Sequence, residues 1–413
     1  MKRLLKALLA FGPGIFAIGY TIGTGSVTSM IVAGSSFGMQ LLWVLVLSCL
    51  FSGVLIYISG KYYLFTGETV LYTIKRHLPL GSVIAVFIII GIGFGQWNSL
   101  IGILGITSNI IYEIIHIYEP GVADMKYYIV VAIAMVIIGT MYTILLKGDY
   151  SLFEKLLALL VSFMGLSFFF TLFFVFPLPQ EIIAGLIPRI PQVEGGGILT
   201  AAFVGTTMAS ATFLSRPLFI QGKGWTKENM PEQRNDAIVA ACLIFVISGS
   251  IMAVASGSLY RENIVVNNVV DMSSALTPFA GKFAVSIFFF GTLSAGLSSI
   301  FPCLLIVPIM ISDYQSGKLD TSSTRFKWIT GVASALALTI PILGVNAVAG
   351  QIVTQVFNVF VLPLVIVVFL VLTNRKALGK MRNGLIINVI LCMALLFAIV
   401  ISYNGLVALL GMI

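Results

Sequence analysis

The chain has 413 residues, of which 59% are hydrophobic and only 9% charged, with a formal net charge of +8. A water-soluble domain carries about a quarter charged residues, so this composition excludes a soluble globular protein and fits a chain solvated by lipid. The positive surplus forms no basic domain or tail and accompanies no nucleic-acid motif, so it reads as a topology signal rather than a nucleic-acid surface.

A helix needs about 20 apolar residues to cross a bilayer. Eleven candidate spans follow in chain order, near 9–34, 39–60, 82–111, 127–146, 152–176, 197–220, 236–258, 279–312, 326–345, 348–373 and 385–411. The expected fold is therefore an all-α integral membrane protein. Met1-Lys2-Arg3-Leu4-Leu5-Lys6 has the charge of a signal peptide, but no small-residue cleavage site follows, so it reads as the start of a retained first helix. Of the 23 Lys and Arg, eighteen fall in segments on one side of the membrane and four on the other, namely Lys126, Arg189, Arg261 and Lys282; Arg216 lies inside a span. The positive-inside rule places the N-terminus in the cytoplasm and, for an odd count, the C-terminus outside, in the cell membrane.

The four cysteines, Cys49, Cys242, Cys303 and Cys392, lie in apolar runs without metal-ligand spacing and read as small apolar fillers. His77 and His116 lie at or near loops. No nucleophile–base pair is visible, so the reading is of a non-enzyme without a cofactor, whose partners are the bilayer and a small solute or ion.

Spans one and six differ from the rest. The first carries Gly19-Tyr20-Thr21-Ile22-Gly23-Thr24-Gly25-Ser26 near its middle, and the sixth carries Gly205-Thr206-Thr207-Met208-Ala209-Ser210 and then Arg216-Pro217. Glycine is a poor helix former, and small polar residues offer the backbone other partners. Both clusters predict broken helices, and they sit at matching places in two five-span halves. That pairing points to inverted repeats (about 9–176 and 197–373, with 385–411 as an extra helix) and to a secondary transporter that binds its substrate at the breaks by alternating access. A solute sensor that does not transport remains an alternative on this pattern.

Several motifs carry a family resemblance: Gly12-Pro13-Gly14 at the start, Ala33-Gly34 followed by Phe37-Gly38, Gly296-Leu297-Ser298-Ser299 in span eight, and Thr354-Gln355-Val356, Thr373-Asn374-Arg375-Lys376 and Arg382-Asn383-Gly384 near the end. On these residues the chain resembles the Nramp family of metal-ion transporters, which share the LeuT-type fold of the amino acid–polyamine–organocation superfamily. The resemblance implies a proton-coupled carrier of divalent metal. In the family the first break reads Asp-Pro-Gly-Asn, and counting from Gly12 those positions are Gly23, Thr24, Gly25 and Ser26 here. The sixth-helix Met-Pro-His falls at Ala209, Ser210 and Ala211, and a second histidine falls at Arg216.

A desolvated divalent cation wants anionic or strongly basic ligands. All fifteen acidic residues fall in loops or near span ends, so no metal site is read with these residues alone. The same breaks suit a carboxylate: Gly23, Thr24, Gly25 and Ser26 place backbone N–H groups together, Thr206, Thr207, Ser210 and Gln355 add polar side chains, and Arg216 offers an anion partner or a gate. The expected substrate is thus a small organic solute with a carboxylate, the alternative being a divalent cation such as Mn²⁺, Fe²⁺ or hydrated Mg²⁺. Ser298 and Ser299 match the hydroxyl pair of sodium-coupled relatives of the wider fold, so Na⁺ is the expected coupling ion and H⁺ its alternative.

Overall fold

A computed structural model describes residues 14–147, 150–173, 175–191, 195–264, 266, 267, 271 and 277–411. Among the described residues there is no strand, and ten helices are long and apolar enough to cross a membrane. The expected first span appears as two short helices, α1 (Gly14–Thr21) and α2 (Thr24–Phe37), with Lys2, Arg3 and Lys6 outside the described residues. Then come α3 (Leu42–Thr66), a short α4 (Val70–His77), α5 (Gly81–Tyr118), α6 (Lys126–Lys147), α7 (Tyr150–Leu172) and a short α8 (Pro179–Gly185). The sixth span is again a pair, α9 (Gly196–Thr207) and α10 (Ser210–Gly222). It is followed by α11 (Met230–Ala255), α12 (Thr277–Ser316), α13 (Thr324–Ala337), α14 (Thr339–Leu343), α15 (Ala347–Thr373) and α16 (Leu385–Leu410).

Both breaks fall where the small polar clusters predict them, and each is short. Ile22 and Gly23 interrupt the first helix, with Gly23 extended at φ −89°, ψ −173°. Met208 and Ala209 interrupt the second, with Ala209 extended at φ −62°, ψ 113°. The hydroxyl residues after each break, Thr24 and Ser210, already begin the next helix.

A break frees backbone carbonyls, and in a lipid-surrounded core each must find a donor. Two serines of α3, seven residues apart and so on one face, supply two of them. Ser52 Oγ donates to the Thr207 carbonyl at the end of α9 at 2.9 Å. Pro217 inside α10 has no N–H to offer four residues back. Ser59 Oγ donates instead to the Phe213 carbonyl at 2.5 Å.

The broken pair α9–α10 has no lipid face: 94% of its apolar stretch is buried, against 22% for α16, which is peripheral. Helix α9 packs on α15, α3, α2 and α16, while α1 packs on α7, α11, α12 and α10. Glycine permits the closest of these approaches. A Cβ at Gly205 would collide with the backbone carbonyl of Gln355, so α9 and α15 touch main chain to main chain there. Packing of this kind, rather than transfer of apolar surface from water, holds helices together in lipid.

Two elements are absent from the sequence reading, which treats 70–77 and 179–185 as loop. Helix α4 buries Val70, Leu71, Thr73 and Ile74 and ends in Lys75, Arg76 and His77, the charge pattern that suits a helix C-terminus. Its first N–H groups are capped from a distance. The fully buried Asp313 of α12 accepts from Leu71 N at 3.2 Å, from Tyr72 N at 3.4 Å and from Thr69 Oγ1. Beside it, Gln221 at the end of α10 donates to Gly317 O and accepts from Leu319 N. The ends of α4, α10 and α12 are therefore tied together on one side of the protein.

Candidate functional site

Between the two breaks lies a small cavity of about 20 Å³. From α1 and α2 it is lined by Tyr20, Gly23, Gly25 and Ser26; from α5 by Gln96, Ser99 and Ile103; from the second break by Thr206 and Ala209; from α12 by Ser299 and Cys303; and from α15 by Gln355 and Asn358. None of these side chains is charged. No group of three or more His, Cys, Asp or Glu able to hold a metal ion occurs among the described residues.

The polar wall is an ordered relay. Gln351 and Gln355 both donate to Ser99 Oγ, at 3.0 and 3.2 Å. Asn358 donates to Gln355 Oε1 at 2.9 Å, Gln96 donates to Asn358 Oδ1 at 3.4 Å, and Cys303 Sγ donates to Gln96 Oε1 at 3.5 Å. Across the cavity Thr206 Oγ1 donates to the Thr21 carbonyl at 3.3 Å, and Ser299 Oγ to the Gly19 carbonyl at 3.0 Å. Ser26 is buried, lines the cavity and has no hydrogen-bond partner for its Oγ among the described residues. A buried hydroxyl of that kind calls for a partner, and the cavity is where it can find one.

Of the residues singled out from sequence, Gly23, Gly25, Ser26, Thr206, Gln355 and Ser299 meet at this cavity. Thr24, Thr207, Ser210, Arg216 and Ser298 do not. Thr24 faces Gly296 of α12, where its Oγ1 lies 2.9 Å from the position a Gly296 Cβ would take. Thr207 bonds back to Phe203 O, and Ser298 back to Ala295 O. Ser210 is buried with its Oγ unpartnered among the described residues. Tyr20, Ser99 and Ile103 are not singled out as site residues by the sequence reading, and Cys303, expected to be an apolar filler, lines the cavity instead; Ser99 follows Gln96 by three positions and Cys303 follows Ser299 by four, the spacing that shares a helix face. Asn98, one residue from the site-facing row, turns outward and bonds to Phe94 O.

Arg216 is 1% exposed and lies away from the cavity, with Nη2 2.5 Å from Asp236 Oδ2 and 2.5 Å from Gln233 Oε1. Its charge is neutralised by a carboxylate of the protein. It therefore neither recruits an anionic substrate nor repels a cation at the breaks.

The profile of the Nramp family, described as natural resistance-associated macrophage protein-like, matches residues 14–408. The chain belongs to the Nramp family. This Nramp protein is 25% identical over 388 residues to a protein of Vibrio campbellii named divalent metal cation transporter MntH, covering 93% of this chain and 88% of that one. It is 24% identical over 426 residues to an Aeromonas hydrophila protein of the same name, covering 96% and 95%. A mutant of the manganese transporter of Eremococcus coleocola has the same fold, with a TM-score of 0.71 at 17% identity over 98% of this chain and 86% of that one. The expectation of a carboxylate solute is corrected by these relatives, which are named for metal cations. The structure removes its physical support as well, because the arginine it needed is paired elsewhere.

Gly23, the position the resemblance aligns with a family aspartate, has no room for a longer side chain. A Cβ on Gly23 would run into Ser299 Oγ and lie 2.7 Å from Ser299 Cβ. Ser299 thus fills the space a longer residue would need. Of the pair Ser298 and Ser299, expected to bind sodium, Ser299 lines the cavity and Ser298 bonds back to Ala295 O. Ser299→Ala is expected to lower stability by about 1 kcal/mol through loss of the tie to Gly19 O. Ser298→Ala should change it by less than about 0.5 kcal/mol. Thermal melts of the two purified variants check this, and equal losses would contradict the placement.

Proposed function

We propose that this protein is a secondary carrier of divalent metal cations that works by alternating access and holds the ion between the two helix breaks. The observation that carries the reading is the enclosed polar cavity at the paired breaks of an Nramp chain. Each break presents the C-terminal, electronegative end of a half-helix, α1 or α9, to that cavity. Carbonyl ends of this kind are how broken helices bind cations in transporters. The donors around them are amide and hydroxyl oxygens from Ser26, Gln96, Thr206, Ser299, Gln355 and Asn358, with one thiol from Cys303. Oxygen donors suit hard ions such as Mg²⁺ and Mn²⁺ better than soft ones. The wall therefore suits hard ions such as Mg²⁺ and Mn²⁺, with a weaker grip than a carboxylate site gives.

Segments 9–176 and 197–373 are read as inverted repeats, with 385–411 as the extra helix, the N-terminus in the cytoplasm and the C-terminus outside. Na⁺ held by Ser298 and Ser299 is the coupling ion on this reading, with H⁺ as the alternative. Uptake of Mn²⁺ and Mg²⁺ into proteoliposomes tests the reading. Saturable uptake of either ion, unchanged by amino acids or organic acids, is expected. Liposomes that take up neither ion while the protein is folded would overturn it.

A further inference from the structure

We propose that Arg216, Asp236 and Gln233 form a latch that clamps the half-helix α1 against α10 and α11, and that release of this latch opens the cavity toward the side on which Gly14 lies. The proposal rests on the carrier reading for what passes; the latch itself is read from the geometry. One guanidinium gathers four helices. Arg216 of α10 bonds to Asp236 and Gln233 of α11. The same Asp236 Oδ2 accepts the Gly14 N–H of α1 at 2.8 Å. Gln233 passes its own amide on to the Ile56 carbonyl of α3 at 3.2 Å.

The chemistry suits a two-position clamp. Asp236 Oδ2 holds the Gly14 N–H of α1 while it balances Arg216, so the carboxylate joins the two helices. Arg216, Gln233 and Asp236 are all buried, so the cluster holds firmly when complete and leaves an uncompensated charge when Arg216 or Asp236 goes. Arginine keeps its proton under all physiological conditions, so the clamp on this chain does not switch by titration of residue 216, where the family carries histidine.

The position of α1 makes the clamp consequential. The helix has eight residues, about 12 Å of rise. Its far end meets the cavity: Tyr20 lines it, and the Gly19 carbonyl is held by Ser299. A short rod pinned at the latch and at the cavity can leave only when one pin lets go.

The protein contains its own reporter. Cys303 lines the cavity and is 2% exposed, so a thiol reagent reaches it only when a path opens. In a background with Cys49, Cys242 and Cys392 changed to alanine, a charged methanethiosulfonate is added from the side bearing Gly14. Arg216→Gln is expected to speed modification of Cys303 about tenfold or more, a shift of about 1.4 kcal/mol in the closed-to-open balance. Gly14→Ala provides a second variant that removes no charge, because its Cβ would sit 2.8 Å from Asp236 Oδ1 and push α1 off the carboxylate. It should accelerate labelling in the same direction, and it decides the matter where Arg216→Gln does not fold. Reagent added from the opposite side should show no gain. Unchanged rates in the folded variants overturn the latch, as does equal acceleration from both sides, which marks general loosening. The readout needs no transported ion. Fast labelling without Mn²⁺ or Mg²⁺ uptake would sink the carrier reading and keep the latch, while uptake with unaltered labelling would do the reverse.

Discussion

Gly205→Leu is expected to prevent stable assembly of the helix bundle. Gly205 lies in the last two turns of α9, and a Cβ there would collide with the Gln355 carbonyl oxygen and lie 3.0 Å from its carbon. The obstacle is main chain, which cannot swing away as a side-chain tip can. Overpacking of a well-filled core costs about 1–3 kcal/mol, and a backbone collision falls at the top of that range. The damage also reaches the cavity, since Thr206 and Gln355 both line it. Gly139→Leu on α6 is the matched control, because nothing lies within 4 Å of its added Cβ. Size-exclusion profiles and melting temperatures of the two variants, purified side by side, provide the measurement. Equal stability would mean that α9 and α15 are not in main-chain contact.

Gln355→Leu should leave the fold intact and sharply reduce cation uptake. Gln355 is the middle of the relay, accepting from Asn358 and donating to Ser99. Leucine is close in size but ends both bonds, so the cavity loses one oxygen donor and the orientation of the next. Removing a group that orients metal ligands typically costs about 10–100-fold in affinity or activity. Concentration dependence of Mn²⁺ and Mg²⁺ uptake in proteoliposomes measures this, with Asn98→Leu as the comparison, since that side chain faces away from the site. Uptake by Gln355→Leu at the level of the parent would remove the relay from the binding site.

The breaks were legible in the sequence because they depend on local chemistry. Gly23 and the hydroxyl residues around it disfavour helix, and Thr206 to Ser210 do the same at the matching place. The membrane class and the family were legible too, from hydrophobic run length and from motifs such as Gly296-Leu297-Ser298-Ser299. What distinguishes Ser299 from Ser298, or Gln96 from Asn98, was not. Neighbouring residues point about 100° apart on a helix, and which of them meets the cavity depends on rotation of the whole helix against its neighbours. Arg216 illustrates the larger gap. Its partner Asp236 is twenty residues on, at what reads as a span end, and only the packing of α10 against α11 converts two isolated charges into a neutral pair. That missing pairing is what made a carboxylate substrate attractive. Helix α4 was missed for a related reason: eight residues are too few for a periodic signal, and the carboxylate that caps it lies on α12.

The uncharged lining of the cavity has an electrical consequence. A carrier whose binding groups hold a charge moves that charge with them on each return of the empty form. Here the lining is neutral and the buried Arg216–Asp236 pair sums to zero, so on the proposed carrier reading a bound dication is the main charge that crosses the field. Each elementary charge gains about 2.3 kcal/mol per 100 mV, so a dication gains about 4.6 kcal/mol. At about 1.4 kcal/mol per decade, an inside-negative potential of that size sustains an inward gradient of more than about a thousandfold. On that reading the membrane voltage alone is a sufficient driving force, the empty carrier resets with little hindrance from it, and a weakly binding neutral pocket suffices to accumulate the ion.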